Sequence, residues 1–383
     1  MKKQTPFNCS SLQGRELEYI FQTISSGQIS GDQAYSKRSQ AFLKLQLGAE
    51  KALVTTSCTH ALEMAAILLE IKPGDEVIVP SFTFVSTPNA FVMRGARPIF
   101  CDVRADTLNL DESKLEALIS SRTKAIVPVH YAGVGCEMDE ILRIAAKHGI
   151  AVVEDNAHGL FGKYKGRWLG TMGCLGTQSF HETKNITCGE GGALLVNDPK
   201  YVERAEIIRE KGTDRSRFFR GQVDKYSWVD VGSSYVMSDV LAAFLYGQLE
   251  AWEVIQAKRR LVWETYHAAL ADWCARTGTR QPNIPDHCEQ AYHMYYLLLP
   301  SLDARTDLIA HLKANDILAV FHYLPLHLSE MGRKFGGRMG DCPVTEDVSD
   351  RLLRLPFYNS LCSEDQDRVI STIRDFDSNK VSA

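Results

Sequence analysis

The chain has 383 residues, of which 45% are hydrophobic and 23% are charged, and its formal net charge is −4. These values are typical of a soluble globular protein large enough for two lobes, and they exclude the strongly basic balance of many nucleic-acid-binding proteins. No apolar run approaches the roughly 20 residues that span a bilayer. The start, MKKQTPFNCSSLQGRE, lacks the apolar segment of a signal peptide, and the ten cysteines include no CxxC pair. We therefore expect a cytoplasmic protein with reduced thiols and with neither a membrane nor a nucleic-acid partner.

Short apolar runs alternate with helical patterns through the first half of the chain. Strands are predicted at Lys51–Ser57, Glu76–Pro80, Pro98–Asp102, Lys124–His130 and Ala151–Asp155. Helices are predicted at Ala61–Ile71 and at about residues 137–148. This alternation indicates an α/β protein whose mainly parallel sheet is covered by helices on both faces.

The pattern changes after residue 235. Apolar residues at helical spacing predict a long helix from about Asp239 to Asp272. The segment QPNIP at 281–285 then predicts a connection into a smaller α+β lobe. The elements predicted in that lobe are a strand at Tyr292–Leu299, a helix at Arg305–Asn315 and a strand at Ala319–Tyr323. We therefore predict a large domain over residues 1–250 and a small C-terminal domain over residues 251–383, connected by the long helix.

Polar residues follow several of the apolar runs, and ligands of open α/β sheets collect beyond the carboxyl ends of the strands. The stretch SCTH at 57–60 opens a helix whose first N–H groups favour a phosphate, although Ser and Thr are also ordinary helix caps. Asp155 and Ser179 each end a strand, where turn residues are common. Lys184 lies in a polar loop before GEGGALLVN, and it is either a surface lysine or a nucleophilic amine.

Together these positions fit one cofactor. Pyridoxal phosphate (PLP) requires a lysine for a Schiff base, an acid for the ring nitrogen and a cradle for the phosphate. Lys184, Asp155 and the helix start at 57–60 provide these three features. Phe84, in PSFTFVS at 80–86, is either a residue that stacks on one face of the ring or an ordinary core phenylalanine.

Five motifs resemble the DegT-type sugar aminotransferases, a branch of the aspartate-aminotransferase fold. They are TSCTHALEMA at 56–65, PSFTFVST at 80–87, VEDNAHG at 153–159, SFHETKN at 179–185 and GEGGALLVN at 189–197. The resemblance extends from about residue 6 to residue 375. It implies an aspartate-aminotransferase-like fold (PLP fold type I), pyridoxal 5′-phosphate as the cofactor and transaminase activity.

The resemblance also implies cofactor contacts for eight residues, which are Thr59, His60, Phe84, Asp155, His158, Ser179, Lys184 and Ser234. Lys184 is implied to carry the internal aldimine and Asp155 to contact the pyridinium nitrogen, so these two are the expected catalytic residues. Thr59, His60 and Ser179 are expected at the phosphate. Phe84 and His158 are expected against the ring, with a structural histidine under the sheet as the alternative for His158.

Two positions depart from the family pattern. Ser234 stands where much of the family has an asparagine that reaches the phosphate of the neighbouring subunit, so only a shorter hydroxyl is available there. The resemblance still implies a homodimer with shared active sites, and a simple helix cap is the alternative role of Ser234. Cys58 replaces the usual glycine, and we expect it to pack at the helix start rather than to react.

Two further stretches resemble the family members that aminate C4 of dTDP-4-keto-6-deoxy-D-glucose. They are FRGQVDKYSWVDVGSSYVMSD at 219–239 and VFHYLPLH at 320–327. The implied substrates are a nucleotide-linked keto-sugar and L-glutamate. The residues themselves leave open the nucleotide base, a C3 or C4 keto group and an axial or equatorial amine. His322 and His327 are additional candidates for substrate contact.

Two other protein classes agree less well with this sequence than a transaminase does. Sugar 3-dehydratases resemble the family but have histidine at the lysine position, so Lys184 argues against them. A non-catalytic PLP-binding regulator usually has an added DNA-binding segment, and this chain has neither spare length nor a basic helical module. The scattered histidines and cysteines, such as His130, Cys136 and His148, lack the paired spacing of a zinc site, so no metal is expected.

Overall fold

The computed structural model describes residues 4–376, and a seven-stranded sheet forms its centre. The strands of the described residues are β1 (Lys51–Thr55), β2 (Glu76–Pro80), β3 (Arg97–Cys101), β4 (Thr123–Ile126), β5 (Ala151–Asp155), β6 (Lys163–Tyr164), β7 (Arg167–Trp168), β8 (Leu175–Ser179), β9 (Gly192–Val196), β10 (Cys288–Glu289), β11 (Tyr296–Leu298), β12 (Val320–Phe321) and β13 (Leu352–Arg354). The large sheet has the order β1-β9-β8-β5-β4-β2-β3. Strands β8, β5, β4, β2 and β3 pair in parallel, whereas β9 is antiparallel to both β1 and β8. The predicted mainly parallel sheet is confirmed.

Helices lie between and beside these strands. In the described residues they are α1 (Glu16–Ser26), α2 (Ala34–Leu47), α3 (Cys58–Leu68), α4 (Ser86–Val92), α5 (Leu115–Leu118), α6 (Met138–His148), α7 (Val202–Arg209), α8 (Arg215–Phe219), α9 (Asp239–Glu250), α10 (Trp252–Thr277), α11 (Leu302–Ala314), α12 (Glu330–Lys334), α13 (Pro343–Arg351) and α14 (Ser363–Arg374). The predicted long helix is two helices, α9 and α10, that meet at Ala251. Helix α10 continues to Thr277 because Gly278 first provides the left-handed residue that ends it, with φ of 68°.

Both faces of the large sheet are buried. Leu53, Val77 and Val79 belong to one core cluster with apolar residues of α3 and α4. Ile78 and Val152 belong to another cluster with apolar residues of α6. Successive residues of a strand point to opposite faces, so the apolar run Val77–Val79 of β2 buries both of its sides. The apolar runs therefore predicted not only strands but a sheet between two helical layers.

A smaller α+β layer follows the long helix pair. Strands β11 and β12 both pair antiparallel with β13. Helices α10, α11 and α14 contribute Trp273, Leu308 and Val369 to a separate core that also includes Leu353 of β13. The strand predicted from Tyr292 begins only at β11, because Tyr292 has φ of 51° and extended backbone requires a negative φ.

Backbone pairing connects the two predicted domains at two places. Thr5 forms a parallel bridge with Ile317, so the first described residues lie against the C-terminal lobe. Conversely, β10 pairs with β6 in a three-stranded sheet that also contains β7. The division into residues 1–250 and 251–383 stays a prediction. None of the helices within residues 4–376 has both the length and the apolar character needed to cross a membrane.

Candidate active site

A cavity of about 560 Å³ lies at the carboxyl ends of β1, β5 and β8. Its lining includes six of the eight cofactor residues predicted from the sequence, which are Thr59, Phe84, Asp155, His158, Ser179 and Lys184. The position agrees with the general rule for open α/β sheets, because loops at these strand ends are the ones that converge on a ligand. The fold thus assembles one site from segments that are far apart in the sequence.

Lys184 lies in the loop that connects β8 with the antiparallel strand β9. The loop is closed at its base by the Phe180 N–H, which donates to the Gly191 carbonyl at 2.8 Å. Gly192 allows β9 to pass directly beside the start of α3, because a Cβ at this position would lie 2.3 Å from the carbonyl carbon of Ser57. The glycines after the lysine therefore have a physical function: they let the lysine loop pack against a helix N-terminus.

Burial makes the ammonium form of Lys184 unusually acidic. Loss of contact with water lowers the pKa of Lys184 from 10.5 to about 8, against the opposing effects of Cys58 and Asp155, and the Arg354 guanidinium lowers it further. At about pH 8, roughly half of the amine is unprotonated, whereas an ordinary lysine would be unprotonated in well under about 1% of molecules. The unprotonated amine is the form that attacks a carbonyl group.

Asp155 ends β5 with its carboxylate held by two neutral donors. The Thr87 hydroxyl donates to Oδ2 at 2.8 Å, and the Ala157 N–H donates to Oδ1 at 3.1 Å. Burial raises the pKa of Asp155, while both donors lower it. A cation placed against a buried carboxylate of this kind favours its charged form strongly. The protonated ring nitrogen of PLP is such a cation.

The residue before Asp155, Glu154, is fully buried, and the sequence analysis missed it. Its Oε2 lies 2.8 Å from His130 Nε2 and also accepts the Gly170 N–H at 2.8 Å. Its Oε1 accepts two further backbone N–H groups from the loop that precedes β8. These contacts fix the end of β5, and with it the backbone that carries the Asp155 carboxylate.

The start of α3 provides an anion-binding end to the cavity. Ser57, Cys58 and Thr59 all line it. The Ser57 hydroxyl accepts the backbone N–H of His60 at 3.1 Å, and the Thr59 hydroxyl lies 2.8 Å from the Ser86 hydroxyl. The first N–H groups of a helix have no acceptor within the helix, and its dipole favours negative charge there. Burial raises the pKa of the Cys58 thiol, which therefore stays protonated beside this anion site.

Two of the predicted cofactor residues do not line this cavity. The His60 ring makes other contacts: its Nδ1 meets the Thr56 hydroxyl, and its ring packs edge-to-face with that of Tyr235, with centroids 5.1 Å apart. Ser234 is exposed, and its backbone forms a bridge with Glu210. Ser234 therefore does not contribute to the cavity of its own chain. The cofactor roles of both residues stay predictions.

Three histidines form a stack in the cavity wall. The rings of His158 and His293 are nearly parallel, with centroids 4.2 Å apart, and His322 lies 6.1 Å beyond His158. Burial lowers the pKa of all three well below 6.5, so they are neutral near pH 7. His293 Nδ1 lies 2.8 Å from Oδ1 of Asn185, the residue after Lys184. His158 Nδ1 is buried without a hydrogen-bond partner among the described residues, so it is available to a bound molecule.

The two remaining candidates for cofactor or substrate contact, Phe84 and His327, differ in their position relative to the cavity. Phe84 is 57% exposed at the cavity mouth, with its ring centroid 6.4 Å from that of Tyr323, so it is not an ordinary core phenylalanine. His327 does not line the cavity, since its Nδ1 lies 2.6 Å from the Ser81 hydroxyl and its Nε2 lies 2.9 Å from Glu346 Oε1. Within residues 4–376, no three His, Cys, Asp or Glu side chains are grouped to hold a metal ion.

Comparison with known proteins identifies the family. Residues 10–374 match the DegT/DnrJ/EryC1/StrS aminotransferase family. The chain belongs to this family. This aminotransferase is 34% identical over 381 residues to the spore coat polysaccharide biosynthesis protein SpsC of Bacillus subtilis strain 168, covering 97% of this chain and 96% of that protein. The predicted family, fold class and enzyme class are confirmed.

Solved structures support the same conclusion. The aminotransferase TlmJ from Streptoalloteichus hindustanus has a TM-score of 0.89 at 29% identity, covering 97% of this chain and 98% of its own. The PLP form of Spr1654 from Streptococcus pneumoniae has a TM-score of 0.91 at 27% identity and covers 100% of both chains. The predicted cofactor agrees with that bound form.

The site of this aminotransferase fits pyridoxal 5′-phosphate on its own geometry. The start of α3 suits the phosphate, Asp155 suits the ring nitrogen and the Lys184 amine suits the aldehyde carbon. The unpartnered His158 Nδ1 adds a buried polar atom that a polar substituent of the ring can satisfy. His293, Arg354 and Glu154 are among the residues of the site that sequence reasoning missed.

Proposed function

We propose that the enzyme transfers the amino group of L-glutamate to the C4 keto group of dTDP-4-keto-6-deoxy-D-glucose, giving dTDP-4-amino-4,6-dideoxy-D-galactose. The observation that carries the transaminase chemistry is the grouping of the acidic Lys184 amine, the Asp155 carboxylate and a helix N-terminus around one cavity. The choice of sugar rests on the resemblance of residues 219–239 and 320–327. The second stretch contributes His322 and Tyr323 to the cavity lining.

The chain's residues supply binding and proton transfer. When bound, PLP supplies an electron sink that makes the proton on the amine-bearing carbon acidic. Lys184 Nζ takes the α-proton of glutamate as a general base, and in the second half-reaction it delivers a proton to C4 of the sugar as a general acid. A pKa of about 8 suits both roles, because both forms of the amine are present near neutral pH. The Asp155 carboxylate holds the proton on the ring nitrogen.

The neutral histidine wall suits a sugar as the second substrate. Imidazoles donate and accept hydrogen bonds, as sugar hydroxyls do, without adding charge. His293 and His322 lie beyond residue 250, so the C-terminal part of the described chain contributes one wall of the cavity. We therefore retain the two-domain division at residue 250 as part of the proposal, together with a cytoplasmic location and a role in surface polysaccharide synthesis, either of enterobacterial common antigen or of O-antigen.

Product analysis tests the proposed substrate. The purified enzyme is incubated with PLP, L-glutamate and dTDP-4-keto-6-deoxy-D-glucose, and the product is examined by mass spectrometry and NMR. We expect 2-oxoglutarate and an axial amine at C4 in equal amounts. An amine at C3, or turnover only with another nucleotide, would make the enzyme a different nucleotide-sugar 3- or 4-aminotransferase. PLP binding without 2-oxoglutarate formation would instead indicate a non-catalytic binder.

We also propose a homodimer with shared active sites. The segment before Ser234 exposes large aromatic residues, among them Phe219 at 69%, Tyr226 at 52% and Trp228 at 80%. Clustered exposed apolar residues indicate a protein contact surface. A two-fold interface uses the same surface twice, so a Ser234 that reaches the neighbouring site would complete both sites.

Subunit mixing tests the shared sites. Lys184→Ala chains and Ser234→Trp chains are each expected to be inactive alone, the second because a bulky side chain blocks the phosphate. In a heterodimer one site has both changes and the other has neither, so each heterodimer that forms on subunit exchange should have about half of the activity of a native dimer. Heterodimers that form without recovering activity, or a monomer at assay concentration, would contradict the proposal.

A further inference from the structure

A strap of mostly irregular backbone, residues 5–11, runs from the C-terminal lobe to the loop between β8 and β9. Its first half is fixed to the C-terminal lobe. Thr5 forms the parallel bridge with Ile317. The Phe7 carbonyl accepts the Phe357 N–H at 3.2 Å. The position of this half of the strap is therefore determined by that lobe.

The second half of the strap contacts the lysine loop, which is the segment between β8 and β9. The Asn8 amide donates through Nδ2 to the Glu182 carbonyl at 3.2 Å, and the Ser10 hydroxyl donates to the same carbonyl at 3.4 Å. Glu182 lies two residues before Lys184, whose own N–H donates to the His181 carbonyl at 2.9 Å. The strap therefore holds the turn that leads into Lys184.

The other side of Lys184 is held by a different contact. Asn185 Nδ2 donates to the Ala291 carbonyl, and Asn185 Oδ1 lies 2.8 Å from His293 Nδ1. Residues 181–190 consist of turns and bends, so their backbone has no regular ladder to fix it, and such side-chain bonds determine its course. Lys184 thus lies between two attachments to the C-terminal lobe, one direct and one through the strap.

We infer that Asn8 is a positioning residue for Lys184, because it holds the Glu182 carbonyl and with it the backbone that directs the lysine amine into the cavity. Asn8 does not line the cavity itself, so it acts through the loop and not on a bound molecule. Position matters at this lysine, which transfers a proton in both half-reactions. A misplacement of about 1 Å that originates far from the chemistry can cost about 10²-fold in rate.

This inference rests on the proposed role of Lys184 and not on the proposed sugar, so the glutamate half-reaction tests it. Asn8→Asp is the sharpest change, because an aspartate keeps the shape of the amide but has no N–H to donate. In PLP-loaded Asn8→Asp and Asn8→Ala, we expect the rate constant at saturating L-glutamate to fall about tenfold or more. The apparent dissociation constant for glutamate should change less than about twofold. Asn283→Ala, at an exposed asparagine outside the cavity, is the matched control and should behave as wild type.

Hydrogen exchange in the cofactor-free protein gives a readout that does not depend on turnover. In Asn8→Asp the N–H groups of residues 182–188 should exchange about tenfold faster, because the turn before Lys184 opens more often, whereas those of β9 should exchange as in wild type. Water then also reaches the lysine amine more easily. Since burial lowers the pKa of Lys184 to about 8, a partial loss of that burial should raise the pKa and move the rising limb of the half-reaction's pH profile to higher pH.

The contrary results are distinct. Wild-type rates in Asn8→Asp would show that Asn8 serves packing alone, and faster exchange without a slower half-reaction would show that Lys184 does not depend on the strap; either result overturns the inference. A slower half-reaction without faster exchange would overturn it as well, because the effect would not pass through the loop. Circular dichroism checks folding, and Asn8→Ala replaces Asn8→Asp if the latter is unfolded. A Lys184→Ala enzyme that completes the half-reaction would overturn the proposed function, whereas an inactive Lys184→Ala enzyme with wild-type rates in Asn8→Asp would overturn this inference alone.

Discussion

Replacing Lys184 with methionine should stabilise the cofactor-free protein, and the gain should depend on pH. Methionine has a similar length and no charge, so it occupies the same volume without an ammonium group. The wild-type amine must leave water when the chain folds, and this burial lowers its pKa from 10.5 to about 8. The folded chain therefore opposes protonation of Lys184, whereas the unfolded chain permits it.

The difference in pKa gives the magnitude. At about 1.4 kcal/mol per pH unit, a pKa lowered from 10.5 to about 8 corresponds to a penalty of about 3 kcal/mol in the free energy of unfolding. Because the unfolded chain binds the proton more tightly, the penalty is complete below pH 8. It decreases as the pH rises from about 8 to 10.5, since the ammonium form is then lost from the unfolded chain as well.

Urea unfolding of the cofactor-free proteins measures this difference. We expect Lys184→Met to exceed wild type by about 3 kcal/mol at about pH 7 and to approach it near pH 10.5. Lys147→Met is the control, because Lys147 is exposed and pairs with Glu116 on the surface, and it should change stability by less than about 1 kcal/mol. A gain that is the same at both pH values, or no gain at pH 7, would refute the assignment of a desolvated amine and the base strength derived from it.

Two further predictions concern neighbouring carboxylates, in addition to the one for Ser234 above. Asp155→Asn should remain folded but slow the glutamate half-reaction at least about 10²-fold, because the ring nitrogen loses its anionic partner; near-normal rates in stopped flow would contradict this role. Glu154→Leu should lower the free energy of unfolding by about 3–5 kcal/mol in urea titrations, because His130 and three backbone N–H groups lose their acceptor; a loss under about 1 kcal/mol would show that β5 is held in another way.

The features that the sequence predicted well depend on local patterns. Strand β2 begins and ends at the predicted residues, because its apolar run Val77–Val79 follows the turn at Pro73 and Gly74 and is closed by Pro80. Lys184 and Asp155 were identified because each follows an apolar run, and strand ends converge in this class of fold. The start of α3 was placed at Ala61 rather than Cys58, although Ser57, its capping residue, had been noted for its possible phosphate contact.

The residues that were missed depend on contacts between distant segments. Arg354 lies in a strand of three residues, too short to show a period of two, and its sequence context RLLRLP resembles the end of an ordinary surface helix. Glu154 directly precedes Asp155, to which the predicted function was assigned. The partners of Glu154, His130 and the loop at Gly170, are distant in the sequence and come together only in the folded structure. The break at Ala251 was invisible because apolar residues continue at helical spacing through it.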